Sequence, residues 1–262
     1  MREIDVSARQ LWERNLKNGD QAASLHLLTE AKSAKGYHLI FSSSYKNLNL
    51  YPKNDGWIGK QGVNYKRIAQ TIEDAGLSLE KVSFILNKLE KMAYPGGIML
   101  PYRMAVDPLP TQFLVSAFRE TNIGNEKELE NSVLWRASQA LLSAVVSLKE
   151  RHLENCLEDL SLIVSLAIKF RRDPTEEALE QLRFYIRTVD IYHPVVVIDA
   201  PLWLIQNEKI KSIEWCRFVQ VDPYGLSEWW VDVVNTLYFE KFAKEISSYY
   251  SRKFRKIKSK IR

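Results

Sequence analysis

The stretch His193-Pro194-Val195-Val196-Val197-Ile198-Asp199-Ala200-Pro201 decides the fold class of this chain. Four β-branched residues follow one another without a polar interruption, the pattern of a strand covered on both faces. Pro194 before them and Asp199-Ala200-Pro201 after them bound the run at strand length. A strand buried on both sides needs a layer above and a layer below, so the flanking sequence must supply helices or a second sheet.

Working outward, residues 215–221 and 229–234 read as two more strands, and residues 238–246 as a closing helix. Upstream, Asp173, Pro174 and Glu176 form a helix start, with a capping acid, proline at the first position and a glutamate three residues after the cap. That helix carries Leu179, Leu182 and Ile186. Before it, Leu134, Ala137, Leu141, Ala144 and Leu148 recur at helical spacing, continued by Leu153, Leu157, Leu160, Val164 and Ile168. This is one long helix, or two with a break near His152. Residues 112–118 read as a strand and 122–127 as a loop. Strand, long helix and further strands in this order predict an α/β sandwich.

The first thirty residues read as helical. Asp5 or Ser7 can cap the start, and Leu11, Trp12, Leu16, Leu25, Leu27 and Leu28 give a broken helical period around a Gly19-Asp20 turn. Glu30-Ala31-Lys32 has Glu-x-Lys spacing, but it ends a helical run with no strand before it and reads as a surface pair. Residues 37–41 are a short strand candidate, and 47–62, rich in Asn, Gly and Lys, a loop. Ile68, Ala69, Ile72 and Ala75 then stripe one helix ending at Gly76, and Val82, Ile85, Leu86 and Leu89 stripe a second that Ser78 can cap. Two short helices around Gly76-Leu77-Ser78 match the helix-turn-helix pattern, and residues 98–106 supply a wing or strand. The chain thus divides into a mainly helical region 1–106, an α/β core 107–246 and a basic tail 247–262.

Composition removes several classes. With 262 residues, 46% of them hydrophobic, and seven Trp, twelve Tyr and ten Phe, the chain is not disordered. Two cysteines, Cys156 and Cys216, exclude a disulfide scaffold and a four-cysteine zinc site, and both read as buried thiols. His26, His38, His152 and His193 leave little room for a histidine metal site, and His193 reads as a satisfied structural histidine. No apolar run is long enough to span a membrane and the start lacks a secretory pattern, so the expected location is cytoplasmic, with no membrane partner. There is no phosphate-loop, dinucleotide, nucleophile-elbow or zinc-protease motif.

Charge is concentrated at one end. Residues 241–262 carry nine Lys/Arg and one acid, a net +8 in a chain whose total is +5, so the first 240 residues are net negative by three. Tyr249, Tyr250 and Phe254 interleave with these cations. Arg252, Lys253, Arg255, Lys256 and Lys258, with Lys81 and Lys88 of the second short helix, are the candidate nucleic-acid contacts.

The stretch IAQTIEDAGLSLEKVSFILNKLEK, residues 68–91, resembles winged-helix DNA-binding domains. Over residues 100–246 the chain resembles the restriction-endonuclease-like, PD-(D/E)xK, nuclease fold. The residues carrying this are Asp107 before the strand QFLVSAF, Gln139 in WRASQALLSAV, the strand PVVVIDAPL and the closing WWVDVVNTLYFEKF. The resemblance implies an acid, a strand with Glu-x-Lys, a helix bearing Gln and a further core strand. Its carboxylates would hold Mg²⁺ or Mn²⁺ beside a lysine. Where that family has Glu-x-Lys, this strand reads Ser116-Ala117-Phe118, which implies a degenerate site. The rearranged alternative takes Asp107 and Glu120 as metal ligands with Lys127 as the cation.

Gln139 and Asp199 remain as ligand-binding candidates, the latter at a strand's end where ligands gather in open α/β sheets. Asp232 is either edge-facing or paired, for instance with Arg217. The expected function is a nucleic-acid-associated protein with a degenerate nuclease-like domain that binds DNA or RNA without cleaving it. The alternatives are an active metal-dependent nuclease and an adaptor that docks proteins through Trp203, Trp229, Trp230 and Tyr249. Whether the chain is an enzyme stays open on these residues.

Overall fold

The computed structural model describes residues 6–14, 21–42, 65–74, 76–92, 113–122, 125–127, 131–221 and 228–256. In chain order the elements are β1 (Val6–Arg14), β2 (Gln21–Ser33), β3 (His38–Ser42), α1 (Tyr65–Asp74), α2 (Leu79–Met92), β4 (Phe113–Val115), β5 (Ala117–Asn122) and β6 (Asn125–Glu126). There follow α3 (Val133–Lys169), α4 (Pro174–Arg187), β7 (Thr188–Asp199), β8 (Leu202–Gln206), β9 (Lys209–Ile213), β10 (Trp215–Val221), β11 (Glu228–Asn235), a 3-10 turn and α5 (Phe239–Lys256). The strands form a six-stranded sheet, β1-β2-β7-β11-β10-β4, and a five-stranded sheet, β6-β5-β3-β8-β9.

The valine run is the centre of the larger sheet. β7 lies between β2 and β11 and is parallel to both. Val195 and Val197 pack on one face against Phe242, Ile246, Tyr249 and Tyr250 of α5. Val196 and Ile198 pack on the other against Leu134, Ala137, Leu141 and Val145 of α3, together with Leu39, Phe41, Leu202 and Leu204 of the smaller sheet. Both faces are dry, which is why the run does not alternate. The second half of α3 leaves the sheets and packs Leu157, Leu160 and Val164 against Ile72, Val82 and Ile85 of α1 and α2 and Ala178 and Leu179 of α4. The α3 repeat runs unbroken past His152 because one helix serves both cores.

The helical reading of the first thirty residues is corrected. β1 and β2 are an antiparallel pair, and β2 runs parallel to β7. Leu25 and Leu27 turn to the α5 side and Leu28 to the α3 side, so a doubly covered strand presents apolar residues at spacings a helix also produces. Leu and Ala favour helix intrinsically, and the sheet overrides that preference. The division at 106/107 is corrected with it, because β1, β2 and β3 are built into the same sheets as the later strands. So is the tail at 247: α5 runs to Lys256 and buries Tyr249 and Tyr250.

Other differences are local. The strand read at 112–118 breaks at Ser116, sending β4 to the larger sheet and β5 to the smaller. The loop at 122–127 is the β5–β6 hairpin. The β8–β9 hairpin was not read at all. Its two-residue turn places Asn207 and Glu208 at φ of 51° and 62°, the primed-turn conformation that suits the twist of the flanking strands. The helix pair α1–α2 is present as read. Gly76 sits at φ 85°, a conformation that favours glycine, and Ser78 Oγ accepts from Lys81 N at 3.4 Å. The wing candidate at 98–106 lies outside the described residues.

Candidate functional site

The rearranged nuclease pair is brought together, and for a structural purpose. Lys127 Nζ lies 2.5 Å from Glu120 Oε1, across the β5–β6 hairpin, and 3.9 Å above the Tyr37 ring. The other Glu120 oxygen accepts from Ser132 Oγ at 2.9 Å and from Val133 N at 2.7 Å. Ser132 in turn caps α3 by accepting from Trp135 N. Glu120 therefore ties β5 to the positive end of α3, satisfying N–H groups that the helix leaves unpaired. Its side chain is buried and both oxygens are engaged. The third member, Asp107, lies outside the described residues.

The sheet instead lifts a different pair into view. Glu30-Ala31-Lys32, read from sequence as a surface pair, lies on β2, with Glu30 opposite Val196 and Lys32 opposite Ile198 of β7. Alternation puts Leu28, Glu30 and Lys32 on the α3 side. Glu30 is buried and Lys32 Nζ stands 2.7 Å from its Oε1, with about a third of the lysine side chain open. This is the carboxyl end of two parallel strands, where open α/β sheets gather ligands. Asp199 ends β7 one position beyond Ile198, exposed, and by alternation on the α5 side. Gln139 is half-buried on α3, and its main-chain oxygen accepts from Ser143 Oγ.

On the α5 face lies a buried polar cluster. Arg217 of β10 donates through Nε and Nη2 to the two oxygens of Asp232 of β11, at 2.8 and 3.0 Å. His193 of β7 stands 2.6 Å from Asp232 through Nε2 and 3.1 Å from the Tyr250 hydroxyl through Nδ1. Because a carboxylate only accepts, Nε2 carries the proton and Tyr250 donates to Nδ1. Arg217 also stacks over Trp230, Cζ to ring centroid 3.8 Å. A His–Asp pair at this distance has the geometry of a general base, but all of these side chains are sealed from solvent. The cluster joins β7, β10, β11 and α5, and it settles the sequence alternatives for Asp232 and His193 in favour of pairing.

Its electrostatics set a pH dependence. Burial pushes the Asp232 carboxyl up, but Arg217 and His193 together, by charge and hydrogen bonds, outweigh it and hold the group at about 2. Burial lowers His193 from 6.5, outweighing the pull of Asp232, which Arg217 already neutralises. Both folded values lie below the unfolded ones, so both contributions are complete above 6.5 and 3.8 respectively and are lost as pH falls through the folded values. The urea midpoint is therefore expected to fall as pH drops below 6.5, and more steeply between 3.8 and about 2. A midpoint that held constant through both windows would refute this assignment.

The cation and aromatic surfaces divide differently from the sequence reading. Lys81 and Arg252 are exposed. The side chains of Lys88, Lys253, Arg255 and Lys256 lie outside the described residues, as does all of Lys258. The aromatic docking patch is corrected: Trp230 and Tyr249 are buried in the core and Trp203 and Trp229 are half-buried. Trp203 spends its N–H on His38 Nδ1 at 2.9 Å. Cys216 is a buried thiol whose pKa burial raises well above its ordinary value. Among the described residues no helix is long and apolar enough to cross a membrane.

No protein-family model, curated protein or solved structure matches the chain.

Proposed function

We propose that this chain is a nucleic-acid-associated protein with a restriction-endonuclease-like core, and that its phosphodiester-facing pair is Glu30 and Lys32 rather than Glu120 and Lys127. The observation that carries the reading is Glu30-Ala31-Lys32 on β2, beside the parallel strand β7 and at its carboxyl end. Strand with Glu-x-Lys, helix bearing Gln139, then the buried strand is the element order that the family resemblance implies. The strand is β2 instead of the one at residues 112–118. The exposed part of Lys32 offers an ammonium to a phosphate.

A hard cation takes six or more oxygens, commonly from two or more carboxylates. Glu30 supplies one carboxylate, Asp199 falls on the opposite face, and among the described residues no three His, Cys, Asp or Glu are grouped to hold a metal. These residues do not make up a Mg²⁺ or Mn²⁺ site by themselves, so binding without cleavage is the reading proposed.

The test is binding of the purified chain to labelled DNA duplex, DNA single strand and RNA over a salt series, with Mg²⁺ or Mn²⁺ present and product lengths read in parallel. Lys32→Met is expected to weaken binding and to reduce the salt slope by about 0.9, one phosphate contact. Glu30→Gln, which removes a negative charge from the same place, is expected to leave binding unchanged or tighter. Cleavage that disappears in Glu30→Gln would overturn binding without cleavage and make the pair catalytic. No binding to any of the three nucleic acids would overturn the proposal.

A further inference from the structure

The far half of α3 is apolar on two opposite faces. Leu157, Leu160, Val164 and Ala167 are buried against α1, α2 and α4. On the other side Leu162, Leu166 and Phe170 are 59%, 41% and 61% exposed. Leu162 and Leu166 are one turn apart, with Phe170 at the C-cap, and form one stripe turned about 150° from the buried one. A surface helix of a monomer has one apolar face and one polar face; a second apolar stripe marks a covered surface.

The charges flanking this stripe say what covers it. Glu158 and Asp159 precede Leu162 by about one turn and share its side of the helix. Lys169 follows Leu166 by three residues and Arg171 lies two further on, while Arg172 beyond them is held by Glu177 at 3.2 Å. All of these are exposed. The stripe thus has an acidic end, an apolar middle and a basic end, which is self-complementary when two copies run antiparallel. With the two-fold axis at the level of residue 164, Leu162 of each copy meets Leu166 of the other, and Glu158 comes between the levels of Lys169 and Arg171 of the other.

We infer that the chain forms a homodimer through an antiparallel pairing of the 158–170 stretch of α3. The interface is isologous, so each copy contributes the same patch twice. Opposite charges at its ends set the register, and like charges would meet in the parallel arrangement, which excludes it. This inference is independent of the nucleic-acid reading, since it uses residues on the helical lobe alone.

Equilibrium sedimentation of the full chain over two decades of concentration tests it. The wild type is expected to approach twice the chain mass of 30.5 kDa. Leu162→Glu/Leu166→Glu is expected to sediment as a monomer with an unchanged circular dichroism spectrum. Glu158→Lys and Lys169→Glu are each expected to weaken dimerisation at least tenfold, and the double swap to restore it to within about threefold. A wild type that stays monomeric throughout would overturn the proposal, as would a dimer insensitive to the leucine pair, or single swaps that the double swap does not rescue. The rescue arm separates loss of the interface from loss of the fold, because a misfolded single variant is not repaired by its charge partner.

Discussion

Arg217→Met is expected to cost about 3–5 kcal/mol, the largest loss from any single substitution in the described core. The reason is what it leaves behind. Asp232 is fully buried, held by two Arg217 N–H donors and one from His193. Without the guanidinium only His193 remains to counter the burial that raises its pKa. Urea denaturation would show this as a lower midpoint at constant slope. The double variant Arg217→Met/Asp232→Leu removes both charges and is expected to recover more than half of the loss, because a buried ion pair and an apolar pair of similar volume differ little in stability. Arg217→Met within 1 kcal/mol of the wild type would show that the pair is not sealed from water as described.

Glu120→Ala is the second large effect, about 2–4 kcal/mol. It strips the partner from Ser132 Oγ and from Val133 N at the start of α3, and leaves the Lys127 ammonium on the β5–β6 hairpin without its carboxylate. Lys127 can turn to water, so the helix start carries most of the cost. The same variant separates the two candidate sites. If Glu120 only anchors α3, the folded fraction of Glu120→Ala keeps its nucleic-acid affinity within about twofold, whereas Lys32→Met loses affinity while keeping its stability. The reverse pattern would return the working role to Glu120.

Parts of both sites were legible in advance. For Asp232 the sequence leaves edge-facing and paired open, with Arg217 as one example of a partner, and the structure chooses the pair. His193 read as a satisfied structural side chain, and it is. Glu120 and Lys127 meet as read, but the anchoring of Glu120 to α3 is not legible, because the sequence does not show that the β5–β6 hairpin abuts the first turn of α3. Glu30-Ala31-Lys32 had the right spacing and was set aside because the residues before it match a helical period. One sign points the other way: Leu25, Leu27 and Leu28 fit a doubly covered strand equally well, in a segment that ends at Ser33, three residues before Gly36.

The sequence by itself determined the elements whose pattern is local and unambiguous. These are the valine strand β7, the long repeat of α3, the capped start of α4, and the α1–α2 pair around Gly76. Each follows from spacing, caps and backbone preference within one segment. Only the tertiary structure decided β2, the duty of Glu120 and the burial of Trp230, Tyr249 and Tyr250. A short apolar run has no period of its own once it is covered on both faces, so whether it is helix or strand depends on what lies beside it. Here β7 is on one edge, with α3 and α5 above and below, and none of these is within 100 residues of β2 in the chain.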